Sequence, residues 1–195
     1  MKLKELIIVV LMFSTFAFAQ SRELVPTSKT SFVYIDKQGH RKSVSMRGRD
    51  FIFVSVREEN SDGRIYAVDR DGTVWLSGGI SSGDEVTFTP SGVWDVKYKK
   101  RFYASKKYPE ADGHNNMNYS LFFTNDGHAL HEGSINSTSH GCIHVKTHDI
   151  KRIFQWAGVN TPVLISRHNY IEFARGDLKK IYMTKRKHRR KMRGR

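Results

Sequence analysis

The stretch Ser139-His140-Gly141-Cys142-Ile143-His144-Val145 holds the chain's one cysteine, with histidines on both sides of it and His131 eleven positions upstream. The thiolate is the nucleophilic form, so a working cysteine needs a base or a positive charge close by. Gly141 bares the backbone directly before Cys142, and a turn there can aim the amides of both residues at one point, as an oxyanion requires. His131 closes a short strand-like run and is the candidate general base. Ser139 and Thr138 read as turn residues, and His140 can cap a turn through its ring nitrogens. A lone cysteine in an oxidising compartment is buried and inert, paired with another chain, or a free reactive thiol. A metal site is a further reading, because His140, Cys142, His144 and His148 offer imidazole and thiolate donors. Residues 140, 142 and 144 converge only in an extended strand, and no second pair of cysteines exists.

Downstream of the cysteine, Thr147 reads as an N-cap and Asp149 falls in the first helical turn. Ile150, Ile153, Phe154 and Ala157 form an apolar stripe that Gly158 closes. Residues 161–166 return as a strand, and 170–183 read as a weaker helix interrupted by Gly176. Upstream, residues 32–35, 51–56, 64–68, 73–76, 93–98, 119–124 and 128–131 read as strands separated by Gly, Asp and Asn turns. Two of those turns, 69–72 and 125–127, carry the Asp-Gly hairpin signal. The fold class is therefore mainly β, with one well-supported helix directly after the cysteine.

Residues 1–19 read as a secretory signal, with Lys2 and Lys4, an apolar run over 6–13 and a small-x-small cleavage site at Ala17-Phe18-Ala19. The run is shorter than the roughly 20 residues of a comfortable span, and an uncleaved anchor is the alternative. Residues 20–30 read as a short polar leader. The net charge of +14 is concentrated at the C-terminus, where Lys179 to Arg195 contain ten Lys or Arg and no acid. This tail, 171–195, has little apolar content after Met183 and is expected to be disordered from about residue 184. Behind a signal peptide the polymers at hand are anionic lipids, lipopolysaccharide and peptidoglycan carboxylates, and nucleic acid is not an expected partner.

The string Ser139-His140-Gly141-Cys142-Ile143 resembles the nucleophile signature of L,D-transpeptidase catalytic domains from bacterial cell-wall enzymes, and Ala129-Leu130-His131 resembles their upstream catalytic histidine. Thr89-Pro90-Ser91-Gly92-Val93-Trp94, Ser77-Gly78-Gly79 and Asn160-Thr161-Pro162-Val163 are similar to further family segments in the same order, so the likeness runs from about 64 to 166 within a domain of 31–170. The resemblance implies an L,D-transpeptidase-like β-sandwich with Cys142 as nucleophile and His131 as base. Gly141, Ser139 and His140 would shape the oxyanion side of the pocket, and His144, Tyr119 and Met117 would contact substrate. It further implies a periplasmic or wall-associated enzyme of cell-wall biogenesis and cell shape that needs no cofactor and no metal. Its substrates would be peptidoglycan stem peptides, and carbapenems would acylate it. An L,D-carboxypeptidase and a non-catalytic wall-binding protein on the same fold are the alternatives. Two departures stand out: His144 occupies a place where the family has arginine, and the interval from His131 to Cys142 is shorter than usual. Histidine lacks the bidentate fork of arginine and carries only part of its charge near neutral pH.

Overall fold

The computed structural model describes residues 23–36, 38–84, 86–105, 108 and 116–193, with side chains described as far as Thr184. The signal segment 1–19 lies outside these residues. Among the described residues, twelve strands and two helices follow one another. Strands β1 (Leu24–Pro26), β2 (Ser31–Ile35) and β3 (Arg41–Ser45) form a small antiparallel sheet. The remaining strands are β4 (Phe51–Ser55), β5 (Arg64–Val68), β6 (Val74–Ser81), β7 (Gly92–Asp95), β8 (Tyr98–Lys100), β9 (Ser120–Phe122), β10 (Ala129–Glu132), β11 (Ile143–Val145) and β12 (Pro162–Ser166). They make one sheet in the order β7-β12-β4-β5-β6-β11-β10-β9-β8.

The two edge strands of that sheet, β7 and β8, are consecutive in the chain. Between them the Val96 N–H donates to Thr161 O and the Lys97 N–H donates to Phe122 O, so one short segment touches both edges. The expected sandwich is thus a single sheet curled almost closed. Its interior holds Ile52, Val54, Ile65, Ala67, Leu130, Ile143, Val145, Val163 and Ile165. Helix α1 (Thr147–Trp156) adds Ile150 and Ile153 to the same cluster.

Strands β4, β5 and β12 are apolar on both faces, as strands covered on both sides should be. Their alternate residues Phe51, Phe53, Tyr66, Val68 and Leu164 point outward into a second cluster. Leu24, Phe32 and Met46 from the small sheet complete it, with Tyr170 and, from helix α2 (Ile171–Arg193), Ala174 and Leu178. Asp177 fixes the helix here, its carboxylate accepting from Lys29 Nζ at 2.7 Å and from the Val74 N–H at 3.0 Å.

Four local expectations need correction. Residues 24–26 are not free leader but strand β1, with Leu24 fully buried. The stretch 93–98 is two strands rather than one, because the chain changes neighbours at Val96. The backbone of α2 stays helical to Arg193 where disorder was expected, consistent with the good helix propensity of Lys and Arg. Lys146, not Thr147, stands at the N-cap of α1 with no side-chain cap, while the Thr147 hydroxyl donates to Glu132 Oε1. No helix among the described residues is long and apolar enough to cross a membrane.

Candidate active site

Strand parity assembles the site. Strand β11 lies between β6 and β10 and pairs with β10 in parallel, Leu130 opposite Ile143 and His131 opposite His144. Leu130, Ile143 and Val145 fill the curled interior, so their neighbours Ala129, His131, Cys142 and His144 turn to the outer face. There Ala129 joins Met117 and Phe122 in a small cluster against which Cys142 packs. Cys142, His131, His144, Met117 and His140 line one cavity of about 860 Å³, together with Phe88, Tyr103, Tyr108, Phe122 and His128.

The His131 ring is buried and its Nδ1 lies 2.7 Å from Glu132 O. A carbonyl only accepts, so Nδ1 carries the proton and Nε2 keeps its lone pair, the tautomer a base needs. Burial, and after it the nearby His144, lower the His131 pKa to about 4, while the bond to Glu132 opposes the shift. His144 packs edge-on against His131 with ring centroids 4.8 Å apart and its Nδ1 3.0 Å from Ser134 O. Gly133 allows this approach, since a Cβ there would lie 2.7 Å from His144 Cγ.

Cys142 makes a long contact of 3.9 Å from Sγ to Gly127 O. Burial pushes its thiol above the ordinary value, against a smaller opposing effect of the Ala129 backbone. Burial thus works against the charged form of both groups.

The loop before the cysteine is tied down by side chains. Ser139, buried, donates from Oγ to Cys142 O and accepts the Gly141 N–H at 3.2 Å. The Gly141 amide is thus engaged and is not aimed at the cavity, which corrects its expected part in an oxyanion hole. Gly141 has φ +97, and a Cβ there would meet His128 Nε2 at 2.9 Å, so the position demands glycine on two counts. Buried Thr89 braces the loop from behind, donating to Gly141 O at 3.1 Å and accepting the Gly83 N–H at 3.0 Å. His140 is exposed and stacks on Tyr108 at 4.3 Å, while His148 pairs with Asp149 at 3.1 Å. The four donors of the metal reading therefore point to separate partners.

Tyr119 is absent from the cavity lining and packs on the other side, against Phe154 of α1 at 5.6 Å. Sequence reasoning missed His128 and left Thr89 without a role. His128 sits in the turn before β10, where strand parity is not yet in force, and nothing in its spacing marks it.

A thiol just before β11 and an imidazole on the neighbouring β10 share one cavity, an arrangement able to carry cysteine chemistry. The family profile of the YkuD L,D-transpeptidase catalytic domain matches residues 49–165. The chain belongs to that enzyme family. Solved structures agree on the fold. The catalytic domain of an Enterococcus faecium L,D-transpeptidase is 27% identical with a TM-score of 0.50, the match covering 60% of this chain and 97% of that one. Mycobacterium tuberculosis L,D-transpeptidase 1 is 19% identical with a TM-score of 0.50, over 72% of this chain and 73% of that one. An L,D-transpeptidase from Stackebrandtia nassauensis is 20% identical with a TM-score of 0.52, over 62% of this chain but 57% of its own length. No curated protein matches the chain.

Proposed function

We propose that the protein is an exported cysteine acyltransferase acting on the tetrapeptide stems of peptidoglycan. The Cys142 thiol attacks the carbonyl of the third stem residue while His131 Nε2 takes its proton. The tetrahedral intermediate collapses, His131 returns the proton to the departing terminal D-alanine, and a thioester remains on Cys142. An amine then attacks the thioester, giving a 3→3 cross-link or an exchanged D-amino acid. The observation that carries this reading is the shared outer face of β10 and β11, where a properly tautomerised histidine and the only thiol line one stem-sized cavity. Export rests on the basic, apolar and small-x-small order of residues 1–19. The ten basic residues from Lys179 onward suit loose, salt-sensitive tethering to anionic envelope polymers.

The test is the intact mass of the mature protein after exposure to a carbapenem, beside Cys142→Ala. The structural neighbour LdtMt1 has been solved in complex with imipenem, which makes that compound the first probe. A single adduct absent from the control supports the reading; no adduct on folded, reduced protein sinks it. Product analysis on muropeptides then separates transfer to an amine from transfer to water.

A further inference from the structure

The loop that leads to Cys142 is held by its own carbonyls. Arg57 Nη1 donates to Ile135 O at 2.8 Å, and Ser81 Oγ donates to Ser137 O. Thr87 Oγ1 stands 3.1 Å from Ser139 O, and Thr89 Oγ1 donates to Gly141 O at 3.1 Å. The last anchor is the one nearest the nucleophile, because the Gly141 carbonyl belongs to the peptide bond that precedes Cys142. Thr89 itself lies between β6 and β7, outside the strand ladders. An anchor is only as firm as the chain that bears it, so whatever fixes Thr89 also fixes that peptide.

Arg167 supplies the fixing. Strands β4 and β12 run parallel with Ser55 opposite Ser166, which brings residues just past their ends together. There Arg167 Nε lies 2.8 Å from Glu58 Oε2, an ion pair that orients the guanidinium. Its two other nitrogens then reach the segment before β7. Nη2 donates to Thr89 O at 3.1 Å, and Nη1 donates to the buried Ser91 hydroxyl. A rigid planar fork can serve these three acceptors at once; a compact ammonium cannot. The guanidinium carbon also stands 5.9 Å from the centre of the Phe88 ring, which lines the cavity, although Arg167 does not.

We propose that Arg167 is a positioning residue for Cys142, acting through Thr89, an assignment that rests on the acyl-transfer reading above. The route runs from Arg167 Nη2–H to Thr89 O, then from Thr89 Oγ1–H to Gly141 O, and so to the peptide plane that aims Cys142. Arg167 holds the nucleophile in line with an incoming carbonyl without meeting substrate.

The experiment measures imipenem acylation of Cys142 over a range of imipenem concentrations, beside iodoacetamide alkylation of the same thiol. Acylation needs the thiol aligned with a carbonyl seated in the cavity; alkylation by a small, freely diffusing reagent does not. Arg167→Gln is expected to lower the limiting acylation rate about tenfold. The half-saturating concentration and the alkylation rate are expected to stay at their unaltered values. Arg167→Lys keeps the partner of Glu58 but loses the fork, so it should fall as the glutamine variant does. It also supplies the reading should the glutamine variant fold poorly. Thr89→Val should slow acylation similarly, and Arg167→Gln combined with Thr89→Val should be no slower than Thr89→Val alone, because both changes cut one route.

An unaltered limiting rate in Arg167→Gln overturns the proposal, as does full rescue by lysine. Effects that multiply in the double variant overturn the route through Thr89. A raised half-saturating concentration at an unaltered limiting rate would place the action of Arg167 on the cavity wall through Phe88, and a parallel fall of alkylation would place it on the fold; either outcome overturns the assignment. Failure of the unaltered protein to form any adduct overturns the acyl-transfer reading, and this assignment with it.

Discussion

The outer face of the curled sheet is treated in two ways. Over β4, β5 and β12 it is sealed by α2 and the small sheet; over β9, β10 and β11 it is left as a cavity of about 860 Å³. Under the seal, Phe53 stacks on Tyr170 at 4.2 Å and on Phe32 at 5.5 Å. Tyr170 donates to Lys29 O and Tyr66 donates to Asp62, and burial raises both phenols above their ordinary range, leaving them inert. On the open side the same burial acts on an acid and a base at once. It raises the Cys142 thiol and lowers His131 to about 4, working against the charged form of each. One surface thus becomes core or active site according to where its cover stops.

The sharpest way to break the comparison is His131→Gln. It should slow acylation of Cys142 by about 10²–10⁴-fold while thermal melting stays close to that of the unaltered protein. A large loss of stability instead would mean that the open side is held together like the sealed one. The converse change, Phe53→Ala, should cost about 3–5 kcal/mol of stability in denaturant titrations. The fraction still folded should acylate at the normal rate, and a slowed rate would join the two regions. Thr89→Val strips both hydrogen bonds from the brace behind Gly141 and leaves the Gly83 N–H buried, a cost of about 1–3 kcal/mol. Amide exchange should report it at residues 139–142 and not under α2.

The most gradual effect is read from pH. Folded His131 titrates near 4 and unfolded histidine near 6.5, so between these values the unfolded chain binds the extra proton. Stability on this account is complete above 6.5 and falls as pH drops toward 4, by at most about 1.4 kcal/mol per pH unit. His131→Gln should remove that slope, and an unchanged slope would place it on another group.

The buried strands of the curled sheet and helix α1 were more legible in sequence than the cover over them. Strands 51–55 and 64–68 are dense in apolar, β-branched and aromatic residues, and the helix at 147–156 carries its stripe openly. Strand β3 escaped because Arg41-Lys42-Ser43-Val44-Ser45 is exposed and polar, and only its pairing with β2 makes it a strand. The break at Val96 escaped for a different reason. Its side chain is buried and fits the alternation, and what changes there is the partner strand, which composition does not record. At the site, Cys142 and His131, singled out in sequence by their chemistry, line one cavity. Tyr119 was misread because its φ of +55 turns the chain just before β9 and sends the ring to α1. The Gly141 amide was misassigned because only coordinates show that Ser139 already holds it.

The parallel pairing of β10 with β11 has a consequence for how this site can change. His131 lies in β10 and Cys142 directly precedes β11, and the chain between them, residues 133–141, is connecting loop that forms part of the cavity rim. The number of residues from His131 to Cys142 is therefore decoupled from their separation in space, which the sheet sets. Lengthening or shortening this loop would reshape what can enter without disturbing the reacting pair. The interval between the two residues is thus a property of the rim, while the sheet keeps the pair in place.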